Sequence, residues 1–133
     1  MVLVNKVSDT KKRVLACINA SLEKKATNIV IMKVQEMSAF TDYFVIVSGN
    51  SDRQVQAIAA AVREKMKKEG ALPLGVEGEN HGQWVLMDYG DVVVHVFYAP
   101  VREFYNIERL WSDAPTMEVA EDVSRLKALA KGM

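Results

Sequence analysis

"LMDYGDVVVHV", residues 86–96, decides how this chain is built. The stretches on either side of Tyr89-Gly90 read as two strands joined by a tight turn, a hairpin signal. With Tyr89 and Gly90 as the whole loop, Asp88 lies opposite Asp91, Leu86 opposite Val93 and Trp84 opposite His95. Val85, Met87, Val92, Val94 and Val96 then make a core face, and Trp84, Leu86, Asp88, Asp91, Val93 and His95 make the other. Two carboxylates directly across from one another cost roughly a few tenths of a kcal/mol unless solvated or matched by a cation. A three-residue loop with Gly90 in a left-handed bulge competes, because Tyr89 disfavours positive φ. That register would turn Trp84 and Leu86 inward. In either case the aspartates belong to a turn and have no positioned acid-base partner, so a catalytic cluster is the weaker reading.

Working outward, "QWVLMD" and "DVVVHVF" are the two strands, and "ALPLGVEG" before them is an extended piece kept out of a helix by Pro73. "SDRQVQAIAAAVREKMKKEG" is a helix with Val55, Ile58, Val62 and Met66 as its buried stripe and Gly70 as its stop. Ser51 and Gln54 have the spacing of a capping box, which accounts for "SGNSDRQ" better than an anion site does. The stretch lacks the Lys-Ser/Thr of a P-loop and the glycine spacing of a dinucleotide loop. "NIVIMKV" (28–34) and "TDYFVIVSG" (41–49) read as strands, the second more continuously apolar and so central. "SDTKKRVLACINASLEKKA" is a helix on Val14, Leu15, Ile18 and Leu22, capped at Ser8 or Asp9. After the hairpin, "VREFYNIERLW" reads as one helix with Phe104, Ile107 and Trp111 on a single face. The order α-β-β-α-β-β-β-α predicts a single α/β domain, residues 1–114, in which helices flank a mixed sheet. A tail, 115–133, follows, with Val119, Val123, Leu126 and Leu129 at helical spacing.

The bulk numbers bound the function. The 133 residues make one domain with enough apolar content, 50%, for a real core. Lys+Arg and Asp+Glu are 17 each, but residues 1–70 hold 12 cations and 7 acids, so the second half is acidic. A chain that grips a phosphate backbone along its length would be basic overall, so specific nucleic-acid recognition is not expected. The acidic half suits a basic protein partner. The clusters Lys11-Lys12-Arg13, Lys24-Lys25 and Arg63/Lys65/Lys67/Lys68 read as solvated helix faces. The single cysteine, Cys17, excludes an internal disulfide and a thiolate cage. His81 and His95 lack the spacing of metal ligands, and no metal or cofactor is expected. No stretch is long and apolar enough to span a bilayer or serve as a signal-peptide core, which predicts a cytoplasmic protein.

The residues "TDYFVIVSGNSDRQVQAIA", "LPLGVEG" and "GQWVLMDYGDVVVHVFYAPVREFYNIERLW" closely resemble the ribosomal silencing factor family, the Iojap-like proteins. The resemblance runs over about residues 8–114. It rests on Gly82-x-Trp84, the Asp88-x-Gly90-Asp91 turn, the strand through His95 and Arg102-x-Phe104-Tyr105 in that order. It implies a fold related to the nucleotidyltransferases but without an established catalytic activity. It also implies binding to the large ribosomal subunit through ribosomal protein fourteen, a block on joining of the small subunit when nutrients are scarce, and self-association as a homodimer. The enzymatic alternative needs Asp-x-Asp on one strand after a Gly-Ser loop to clamp two metal ions. Gly49-Asn50-Ser51 imitates the loop, but Asp91 is followed by Val92 and Val93. The residues assigned to partner binding are Trp84, Leu86, Asp88, Asp91 and His95. Trp84 is the apolar anchor and the two aspartates are the charge that a basic ribosomal protein would meet.

Overall fold

The computed structural model describes residues 2–119, with side chains described from Asp9 onward. Helix α1 (Val2–Glu23) leads into strands β1 (Thr27–Lys33) and β2 (Tyr43–Gly49), followed by helix α2 (Asp52–Lys68). Strands β3 (Gly75–Glu77), β4 (Trp84–Asp88) and β5 (Val92–Tyr98) come next, then helices α3 (Ala99–Tyr105) and α4 (Ile107–Leu110) and strand β6 (Thr116–Glu118). The strands form one six-stranded sheet in the order β3-β4-β5-β2-β1-β6. Only β2 and β5 run parallel, and the other neighbours are antiparallel. The continuously apolar β2 is buried throughout, as a strand covered on both faces must be. The domain is thus mixed α/β, in the element order expected as far as α3.

One face of the sheet carries the main core. Val14, Ile18, Val55, Ile58, Val62 and Met66 of α1 and α2 pack on Val45, Val47, Val85, Met87, Val94 and Val96, all fully buried or nearly so. Each contributes about 1.5–3 kcal/mol of hydrophobic burial. The Ser51 cap of α2 is present: its hydroxyl accepts from the Gln54 N–H at 3.0 Å. Gln54 does not close the box on Ser51. Its Oε1 accepts from the Asn50 N–H at 2.6 Å, and its Nε2 donates to the Lys24 and Lys25 carbonyls, tying the end of α1 to the start of α2. Ser51→Ala is therefore expected to cost about 1 kcal/mol of unfolding free energy. Denaturant titration checks the loss, and unchanged partner binding would place Ser51 in the scaffold.

Four further expectations are corrected. Helix α1 begins at Val2 rather than at a Ser8 or Asp9 cap. The helix expected over 101–111 breaks at Asn106, whose left-handed backbone (φ 45°) ends α3 and starts α4. Asparagine is among the few residues that tolerate that conformation. As a result Phe104 is 80% exposed, while Ile107 and Trp111 pack on the sheet. Thr116–Glu118, inside the stretch read as a tail that is either a docked helix or only partly ordered, is a strand that pairs with Val30–Met32. The sheet therefore continues past position 114, and Val123, Leu126 and Leu129 lie outside the described residues.

The fourth correction is the hairpin. Its loop is Gly90-Asp91, not Tyr89-Gly90, with the Tyr89 N–H donating to the Val92 carbonyl at 2.9 Å. Gly90 takes the positive φ, 87°, at the first loop position, where Tyr89 would otherwise have been forced into it. Asp88 meets Val93, Leu86 meets His95 and Trp84 meets Phe97. Moving the loop by one residue shifts each cross-strand partner by two, so every side chain keeps its face. The expected core face is intact, with Val85, Met87, Val92, Val94 and Val96 at most 1% exposed.

Candidate protein-docking face

The second face of the sheet is built differently. Strand alternation puts Trp84, Leu86 and Asp88 of β4 beside Val93, His95 and Phe97 of β5, then Phe44, Ile46 and Ser48 of β2 and Val30 and Met32 of β1. Among the described residues no long helix covers it. The short α3 and α4 and the segment through Ala114 lie over part of it, so the second cluster is smaller, and Trp84, Val93, Ile107 and Trp111 are only partly buried at its margin. The rings form a continuous set. Trp84 stacks on Phe97 at 4.8 Å between centroids and meets Tyr105 at 5.2 Å. Phe44 meets both His95 and Trp111 edge-on at 5.0 Å. Beyond these rings the helices hold Phe104, Tyr105 and Leu110 in solvent, 80%, 54% and 76% exposed.

The layer is pinned by Arg102, which is buried. Its Nη1 donates to the Asn28 carbonyl and to Ser48 Oγ (2.8 Å), while Nε and Nη2 grip both oxygens of Glu108. One planar guanidinium thus joins α3, α4, β1 and β2. A cleft of about 780 Å³ opens beside it, and among the described residues its lining sets Glu103, Glu108 and Glu118 against one cation, Arg102. The margin of the face is acidic.

The five residues read as a binding set divide. Trp84, Leu86 and Asp88 stand half-buried on this face. His95 shares the face but is only 5% exposed. Its Nδ1 accepts a hydrogen bond from Trp84 Nε1 at 3.1 Å, which assigns the ring proton to Nε2. Nε2 is buried and has no hydrogen-bond partner among the described residues. Burial pushes the imidazole down to about 4, so it is neutral at physiological pH. Asp91 leaves the set. Its Oδ2 accepts from Thr10 Oγ1 at 2.6 Å and from Arg13 Nη1 at 2.7 Å, so it ties α1 to the hairpin turn. Asp88 is also engaged, accepting the Gly90 N–H at 2.8 Å in an Asx turn. The expected pair of uncompensated, facing carboxylates does not exist. The physical reason is the loop shift, which takes Asp91 out of the ladder and within reach of α1.

Sequence reasoning missed Tyr105, Leu110 and Trp111 as parts of the face. Their signal was present: three large apolar residues in a short segment rich in Glu and Arg. It was masked by the assumption of one unbroken helix. Among the described residues, no three His, Cys, Asp or Glu side chains gather as a metal site requires. Burial pushes the Cys17 thiol up to about 12, far from a reactive thiolate.

A family profile described as "Ribosomal silencing factor during starvation" matches residues 7–132. The chain is 43% identical over 107 residues to the ribosomal silencing factor of Halalkalibacterium halodurans, covering 80% of this chain and 92% of that one. It is 33% identical over 106 residues to the chloroplastic Iojap protein of Zea mays, covering 80% of this chain and 46% of the maize protein. Among solved structures, a protein from Chromobacterium violaceum superposes with a TM-score of 0.75 at 34% identity, over 84% of this chain and 94% of that one.

Proposed function

Because this chain belongs to the ribosomal silencing factor family, we propose that it represses translation by binding the large ribosomal subunit and blocking its joining with the small one. Family membership carries a translation-regulating, ribosome-associated role. The finer reading is that the chain docks on ribosomal protein fourteen through the open sheet face and its α3–α4 rim. One observation carries it: an aromatic face centred on half-buried Trp84 that no long helix among the described residues covers, continued by exposed Phe104, Tyr105 and Leu110. A face of that composition is what protein interfaces enrich. The acidic margin at Glu103 and Glu118, with Asp88 on β4, complements the basic surface of a ribosomal protein. Leu86 and Trp84 are read as contacts, and His95 as lying behind them.

The reading includes cytoplasmic residence and self-association as a homodimer, for which sizing by light scattering is the direct check. No described helix is long and apolar enough to cross a membrane. A subunit-joining assay tests the proposal. Purified subunits mixed at rising concentrations of the protein should yield progressively fewer complete ribosomes, and joining unaffected at saturating protein would refute it.

A further inference from the structure

His95 occupies an expensive position. It is 5% exposed at the centre of an apolar sheet face, between Ile46 on β2 and Leu86 on β4, with the rings of Phe44, Trp84 and Phe97 around it. Its Nε2 is buried with no hydrogen-bond partner among the described residues. An apolar side chain of similar size would avoid the desolvation of that nitrogen. A buried unsatisfied polar group in a native fold calls for an explanation. So little of the imidazole is exposed that a partner docked on this face meets Trp84 and not His95.

The explanation lies in what its other nitrogen does. Trp84 is half-buried, stacked on Phe97 at 4.8 Å and flanked by Tyr105 at 5.2 Å. Stacking on flat rings is weakly directional, and the torsion that turns an indole about its Cβ has two broad, nearly equivalent settings. The only polar atom of the side chain, Nε1–H, separates them, because in one setting it reaches His95 Nδ1 at 3.1 Å. We infer that His95 is a positioning residue: it holds the Trp84 indole in one orientation within the docking face and so preorganises the anchor before a partner arrives. This rests on the reading of Trp84 as an anchor. Holding one of the two settings in advance removes that choice from binding, which corresponds to about a twofold gain in affinity, and more where the free indole would favour the other setting.

The test uses the full chain and three substitutions. His95→Phe keeps an aromatic ring and deletes the acceptor. His95→Asn places an amide oxygen where Nδ1 stands. Trp84→Ala removes the anchor and identifies the indole resonance by its absence. Three quantities are read: melting temperature, exchange protection of the Trp84 indole proton by nuclear magnetic resonance, and affinity for purified large subunits. His95→Phe should melt at or above the parent, lose indole protection and bind at least about twofold more weakly. His95→Asn should restore protection and much of the affinity even though it melts lower. Should the phenyl ring not fit, His95→Leu carries the same expectation. An affinity in His95→Phe equal to the parent's, with Trp84→Ala impaired, overturns the positioning role alone. So does affinity that follows melting temperature instead of indole protection across the variants. Trp84→Ala binding as well as the parent overturns the docking reading and this inference with it.

Discussion

Asp91→Lys is expected to destabilise the domain by about 3–5 kcal/mol, the cost of breaking a largely buried ion pair and leaving a charge without its partner. The Asp91 side chain is 14% exposed, and that of Arg13 is 31% exposed. Their bond at 2.7 Å, with the Thr10 hydroxyl on the same oxygen, is the polar tie between α1 and the β4–β5 turn. A lysine there would push an ammonium against Arg13 beneath α1, in a setting that screens poorly. Asp91→Asn keeps an acceptor for Thr10 and Arg13 and should lose less. Asp88→Lys should cost under about 1 kcal/mol, because it removes only the bond to the Gly90 N–H at a half-exposed position. Chemical denaturation of the three variants checks the ranking. Equal, small losses for Asp88→Lys and Asp91→Lys would show that the clamp contributes little.

The second large effect concerns binding. Trp84→Ala should weaken attachment to the large subunit by about 2 kcal/mol or more, roughly thirtyfold, as truncation of an aromatic anchor at the centre of an interface does. The indole is half-buried against Phe97, so some fold stability goes with it. That loss should be smaller than for a fully buried tryptophan, about 1–2 kcal/mol. The two effects separate by measuring affinity at a temperature where the variant is fully folded. Tyr105→Ala, at a more exposed ring, should lower affinity with little change in melting. Should both variants bind as the parent does, the partner docks elsewhere.

The division between what could and could not be read from the chain follows physical lines. Faces were legible because alternation has period two: Val85, Met87, Val92, Val94 and Val96 went to the core in any register of the right parity. Partners were not, because a glycine able to adopt positive φ captured the first loop position and moved the turn by one residue. The role of Asp91 was hidden by distance. Arg13 lies 78 positions away in a run of three cations, and nothing local says which of them turns inward. Arg102 was visible as part of a motif, but its task was not, since Asn28, Ser48 and Glu108 converge on it only in the folded sheet. Phe104 was misplaced by helical periodicity that Asn106 interrupts. The face of Trp84 was legible by the same alternation, and the residue lies half-buried on the side opposite the main core.

Amide hydrogen exchange on the protein alone and with saturating large subunits tests the docking face most directly. Protection gained in β4 and along residues 103–111, with α1 and α2 unchanged, is the expected result. Protection confined to α1, α2 or the exposed Phe40 and Leu72 region, or no protection at all, would contradict it.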